Sequence, residues 1–189
     1  MKFQYLGFLA VAAIALPAAA ADTFTVDGNH TIPTFEVSHY GFSIYRGRFD
    51  KTAGKVTLDR ATKQGSADIT IDAASVSTSS PRLNERLRSE DFFNVAQFPT
   101  ITFKSDNFTF NGDRLVGMAG NLTILGVTRP VTLQVGYFHC GPYRNTKREA
   151  CGADASTTIK RSDFGMKYGL PALGDEVKLL LGVEGIMDQ

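Results

Sequence analysis

Apolar and polar residues alternate along most of this chain, the period-two pattern of strands with one dry and one wet face. Phe24 and Val26 begin it. Over 32–39, Phe35, Val37 and His39 share one parity while Glu36 and Ser38 take the other. The pattern continues through 43–49, through Val56 and Leu58, and through Ala67, Ile69 and Ile71. It resumes at Ile101 and Phe103, then changes parity at Phe108 and Phe110, which predicts a bulge near Asp106-Asn107. Asn111-Gly112 predicts a hairpin turn, after which Val116, Met118, Leu122 and Ile124 share a face. A turn over 126–130 leads to Val131, Leu133, Val135 and Tyr137 on one face. Ala153, Ala155, Thr157 and Ile159 alternate next, and Val177, Leu179, Leu181 and Val183 mark the last strand.

The stretch 80–103 departs from this pattern. Ser80 suits a helix N-cap, and Pro81 suits the first helical position, where its missing N–H is not needed. Leu83 and Leu87 then fall on one helical face, with Arg82, Arg86 and Arg88 elsewhere around the turn. Ser89 can cap a second short turn presenting Phe92, Phe93 and Val95, and Pro99 returns the chain to a strand. About eight antiparallel strands with short turns suit an up-and-down barrel or a sandwich. The helical insertion is a natural lid over one mouth, and pairing of the last strand with the first removes the sheet edges; both favour the barrel. A barrel of eight strands is just wide enough to be filled by its own side chains or to keep a slot for one small ligand.

Composition adds a compartment and removes some functions. Residues 1–21 carry Lys2, an apolar run, Pro17 and four consecutive alanines, the pattern of a secretory signal peptide cleaved near Ala21. The apolar run is too short for a membrane span. The mature chain, 22–189, is therefore expected to be an exported single domain. Without Lys2 it holds 19 basic and 19 acidic residues, a balance that offers no electrostatic case for nucleic acid. Tryptophan is absent, whereas 14 phenylalanines are present, two of them in the leader, and the rest supply material for a large apolar interior. Cys140 and Cys151 flank a polar, basic segment, and export makes a disulfide stapling the ends of an exposed loop the default. No G-x-S-x-G, H-E-x-x-H, phosphate-loop or G-x-G-x-x-G motif is present, and His30, His39 and His139 are too scattered to read as a metal site.

Four ordered blocks carry a resemblance: VDGNHTIPTFEVSHYGFSIYRGRF, RLNERLRSEDFFNVAQFPTITFKS, GNLTILGVTRPVTL and EVKLLLGVEG. Together they are similar to the YceI-like family of polyisoprenoid-binding proteins over nearly the whole mature chain. The resemblance implies a lipocalin-like antiparallel barrel, secreted or periplasmic in bacteria, with a long apolar tunnel for an isoprenoid-chain lipid of polyprenyl or quinone type, and no established enzymatic activity. Where the family often has Asp-x-His-Leu in the flap, this chain has Asn84-Glu85-Arg86-Leu87, and the cysteine-stapled loop is an addition relative to many relatives.

The expected lining is Phe35, Val37, Leu83, Leu87, Phe92, Phe93, Ile101, Phe103, Met118, Leu122, Leu133, Val135, Phe164 and Leu179; each could equally be ordinary core. His39 shares the dry parity and reads either as a hydrogen-bonded core histidine or as a head-group contact. Arg82, Arg86 and Arg88 could meet a phosphate or carbonyl oxygen of a head group, or form the solvated face of the helix. Asp163 is placed to cap the turn before Gly165. The leading expectation is a lipid carrier with no covalent cofactor and no metal. Its alternatives are a hydrolase or isomerase of a small lipid-like substrate dependent on His39 or Asp163, and an accessory that binds a quinone-using membrane redox protein.

Overall fold

The computed structural model describes residues 21–144 and 146–189, so the leader read in 1–21 lies, Ala21 apart, outside them. Strands β1 (Asp22–Val26), β2 (Thr34–His39), β3 (Ser43–Phe49), β4 (Thr52–Asp59) and β5 (Gln64–Asp72) come first. A short β6 (Val76–Ser77) and helix α1 (Pro81–Arg88) form the insertion. Strands β7 (Thr100–Asn111), β8 (Arg114–Ile124), β9 (Val127–Pro142), β10 (Glu149–Lys160) and β11 (Leu173–Met187) complete the chain.

These segments make a closed antiparallel barrel of eight staves. β1 and β2 are two halves of one stave, and both pair with β11. β3 and β4 are halves of the next, pairing with β2 and β1 respectively. β5, β7, β8, β9, β10 and β11 follow in order, each hydrogen-bonded to its neighbour. Pairing of β1 and β2 with β11 closes the sheet on itself; staggered stretches such as 127–133 of β9 and 43–47 of β3 are left without a second strand partner among the described residues. Among the described residues no helix is long and apolar enough to cross a membrane.

The insertion crosses the end of the barrel where β2, β8 and β10 finish. The Ser80 side chain accepts a hydrogen bond from the Leu83 N–H at 3.3 Å, as a cap should, and Pro81 opens the helix. Arg88 ties α1 to β6 by donating to the carbonyls of Ala74 (2.7 Å) and Val76 (3.0 Å). Ser89 departs from expectation. Its hydroxyl closes the C-terminus of α1 by donating to the Arg86 carbonyl, while its own carbonyl accepts from the Phe92 and Asn94 N–H groups (3.1 and 2.9 Å), so a hydrogen-bonded turn follows without a side-chain cap.

Bulges account for the other departures. The expected bulge lies between Ser105 and Asn107, but β8 carries another at Val116, so Leu115 faces inward in its place. In β9, Gly136 is the extra residue opposite Asp154/Ala155; beyond it Phe138 faces in and Tyr137 faces solvent at 59% exposure. A bulge adds one residue and reverses parity beyond it. The β7–β8 hairpin turns on Gly112-Asp113, and the β8–β9 turn is only Leu125-Gly126. Pro130 therefore lies within β9, opposite Asn121, on a part of the strand that β10 does not reach, where no ladder N–H is missed.

Candidate functional site

The barrel is hollow. A void of about 390 Å³ runs down its axis, lined almost wholly by apolar side chains. This falls in the range of roughly 300–1,000 Å³ usual for small-molecule sites. The inward positions of β11 show the emptiness directly: Val177, Leu179 and Leu181 point at the centre yet remain only half-buried, because nothing fills the space against them.

Two close approaches explain why the phenylalanines do not plug the tube. Phe35 lies over Gly47, its direct partner across β2–β3, and Phe103 lies against Gly120 of β8. A Cβ at either glycine would overlap the ring. The missing side chains let both rings lie against the wall and leave the axis open.

Most sequence candidates meet here. Phe35, Val37 and Leu179 line one wall; Ile101, Phe103, Met118, Leu122 and Leu133 line the facing one, and Phe164 joins them from the 3-10 turn Arg161–Phe164. The insertion supplies Leu83, Leu87, Phe92 and Phe93 as a cover, with Phe93 set edge-on to Phe35 and Phe49 at 6.3 and 5.2 Å between ring centres. Val135 is the exception: it is buried in the wall and does not touch the void. Phe24, Leu58, Phe108, Leu115 and Phe138 close the far end and were not singled out from the sequence, although their parity already marks three of them as dry.

The disulfide joins Cys140 and Cys151, directly opposite each other on β9 and β10. Its place differs from a staple at the base of a loop. Both strands run on beyond it, and Cys151 faces the lower tunnel.

At the open end His39 stacks on Tyr45, ring centres 3.9 Å apart, with Tyr40 edge-on at 4.5 Å. It is half-buried and lines the mouth, packed against tyrosine rings rather than in the core, which differs from the core histidine of one expectation. Arg86 also reaches the mouth, pairs with Asp91 at 2.7 Å and lies 4.6 Å over the Tyr168 ring, which in turn meets Phe92 at 5.4 Å. Arg82 is exposed away from the tunnel, and Arg88 is spent on the carbonyls named above. Asp163 is exposed and does not cap the turn before Gly165; Asp175 of β11 accepts from the Ser162 N–H and hydroxyl instead, at 2.9 and 2.8 Å.

Arg161 went unread in the sequence. It is 6% exposed and borders the tunnel, its guanidinium donating to the carbonyls of Gly174 (2.8 Å), Met166 (3.0 Å) and Leu173 (3.1 Å). Burial lowers its pKa from the ordinary arginine value, and the Asp175 charge opposes that shift. Burial alone would raise the Asp175 carboxyl, but the Ser162 donors and the Arg161 and Lys160 charges hold it below the usual carboxylate value. Apart from His39, the basic side chains on the lining are Arg46, Arg86 and Arg161, with no carboxylate among the lining residues.

A closed, hollow antiparallel barrel with a helical cover and an apolar axis is the plan of the lipocalin-like barrels. The sequence comparisons make this particular: the YceI-like domain profile matches residues 24–185, and the chain belongs to that family. It is 41% identical to the UPF0312 protein PSPA7_0523 of Pseudomonas paraeruginosa over 179 residues, 89% of this chain and 88% of that one. It is 36% identical to Protein YceI of Salmonella arizonae over the full length of both chains. Among solved structures, BcnA of Burkholderia cenocepacia superposes with a TM-score of 0.72 at 25% identity, over 84% of this chain and 98% of that one. A polyisoprenoid binding domain from Saccharophagus degradans, implicated in plant cell wall breakdown, superposes with a TM-score of 0.65 at 20% identity, over 87% and 98%, a likeness of fold alone.

Proposed function

We propose that this protein is an exported, periplasmic carrier for an isoprenoid-chain lipid, holding the chain in the barrel and the head group at the mouth. The observation that carries this reading is the apolar void of about 390 Å³ beneath the α1 cover. Apolar cavities of roughly 150 Å³ already stay dry and take up hydrocarbon guests. Each buried CH₂ contributes about 0.8 kcal/mol, so one isoprene unit offers roughly 4 kcal/mol gross, and a few units exceed the cost of association.

At the mouth Arg46 and Arg86, each paired with one carboxylate (Glu36 and Asp91, both at 2.7 Å), keep further N–H donors that suit a head group rich in acceptor oxygens, a phosphate or a quinone carbonyl. The family and the polyisoprenoid-binding neighbour of the same fold support the ligand class. Binding rather than turnover is favoured by the surroundings of His39: it stacks between tyrosines, with no carboxylate or hydroxyl orienting its ring as a general base requires.

The test is lipid extraction of protein purified from its own host, followed by mass spectrometry, together with titration of delipidated protein with a polyprenol, a polyprenyl phosphate and a quinone. Saturable one-to-one binding of at least one is expected. Absence of any bound prenyl lipid and of any saturable titration would remove the reading.

A further inference from the structure

Exposed apolar side chains are gathered at one end of the barrel. Of the large hydrophobic residues with substantial exposure, Tyr40, Phe42, Ile44, Tyr45 and Tyr168 surround the tunnel mouth, and only Tyr137 lies elsewhere among the described residues. Phe42 is 92% exposed at the tip of the β2–β3 hairpin. The tip is a three-residue loop, 40–42, between the paired His39 and Ser43, with Tyr40 and Gly41 at φ 54° and 73° and the Phe42 N–H donating to the His39 carbonyl at 3.0 Å. The Tyr40 N–H is tied to the Ala172 carbonyl at 3.0 Å, so the fold holds the ring out in water on a braced support.

A soluble domain gains nothing by leaving a phenylalanine there. The patch sets one aliphatic side chain and one almost fully exposed phenyl ring among tyrosines, the residues that settle at the headgroup level of a bilayer. It also runs without a break into the lining, since Tyr40, Tyr45 and Tyr168 both border the void and face solvent. A lipid chain could pass from a bilayer into this tunnel without crossing water only if the mouth met the membrane.

We propose that the β2–β3 hairpin is a membrane-docking element. Phe42 inserts among the acyl chains of a bilayer while Tyr40 and Tyr168 rest at the headgroups, placing the tunnel entrance against the lipid surface. The inference rests on the carrier reading for its purpose, but its test is separate.

Because the chain has no tryptophan, Phe42→Trp gives a single-site reporter. With vesicles of phosphatidylethanolamine and phosphatidylglycerol, the mature full chain carrying it should show a blue-shifted emission quenched by brominated acyl chains. Tyr137→Trp, on the wall remote from the mouth, should not. Phe42→Ser should weaken vesicle partitioning tenfold or more while leaving the affinity for farnesol within twofold, because residue 42 does not border the void. An emission spectrum of Phe42→Trp that vesicles leave unchanged, or vesicle binding of Phe42→Ser equal to wild type, overturns the proposal. So does sedimentation showing a wild-type dimer that Phe42→Ser abolishes, which would make a second copy the occupant. If the vesicle responses appear but no polyprenol, polyprenyl phosphate or quinone binds, docking stands and the carrier reading falls.

Discussion

Replacing Ala153 by phenylalanine separates a hollow barrel from a packed one. Ala153 faces the tunnel on β10, opposite Phe138 of β9 and Val183 of β11, and Cys151 lies two residues deeper on the same face. Two residues of strand span about 7 Å. A ring at 153 would therefore cut off the lowest part of the lumen, about the length of one isoprene unit. At about 0.8 kcal/mol per CH₂, five lost carbons are worth up to roughly 4 kcal/mol, and each 1.4 kcal/mol is about tenfold in Kd. A prenol long enough to reach the bottom should bind Ala153→Phe at least tenfold and up to several hundredfold more weakly. One a unit shorter should be affected less than about threefold. Stability gives an independent sign. In a filled core the added ring would cost about 1–3 kcal/mol, lowering Tm by about 2–4 °C per kcal/mol in a domain of this size. In a void it buries against Phe138 and Val183 at no such cost, and the Tm of the delipidated protein should hold or rise. Titration calorimetry over a series of prenol lengths, paired with thermal unfolding, reads both. A fall in Tm with equal weakening at every length would refute the reasoning.

Gly47→Ala should push the Phe35 ring off the wall into the tunnel, lowering the affinity for a full-length prenol while Gly47→Ala/Phe35→Ala restores most of it; a double-mutant cycle by calorimetry checks this. Tyr168→Ala removes the contacts to Phe92 and Arg86 that latch the cover, about 1–2 kcal/mol together, and stopped-flow release of a bound prenyl probe should quicken about tenfold. Reducing the Cys140–Cys151 bond should cost about 3 kcal/mol of stability by the loop it closes, read as a lower denaturation midpoint in reductant. The pair Asp27–His30, 2.8 Å apart, raises the His30 pKa and lowers that of Asp27. The His30 contribution is thus full below about pH 6.5 and is lost as pH rises through the raised folded value; that of Asp27 is lost as pH falls through its lowered one. NMR titration should place His30 above the ordinary histidine value, and Asp27→Asn should return it there.

The barrel was legible because its outside is wet and its inside dry along every stave, so Phe35, Val37, Ile101 and Leu179 declare their direction by parity alone. The flap was legible for a different reason: Ser80 and Pro81 are local helix-start chemistry that needs no tertiary partner. Parity fails where a bulge adds a residue. Nothing local decides between the neighbours Leu115 and Val116, or between Tyr137 and Phe138, because the bulge answers to the register of the adjacent strand. Arg161 was hidden because its hydrogen-bond partners lie at Met166, Leu173 and Gly174, brought round by the fold, whereas an arginine beside a turn reads as solvated. The emptiness was implied by the family resemblance alone and not by the pattern of residues. It depends on which phenylalanine faces which glycine across strands, a matter of register rather than composition.

The most direct measurement is a crystal structure of the delipidated protein after incubation with a long polyprenol. The account predicts one continuous rod of density, from the mouth beside Tyr45 and Arg86 down to Phe138 and Cys151, with Phe35 and Phe103 still flat against the wall. A lumen closed by those rings, with the lipid absent or bound on the outer surface, would contradict it.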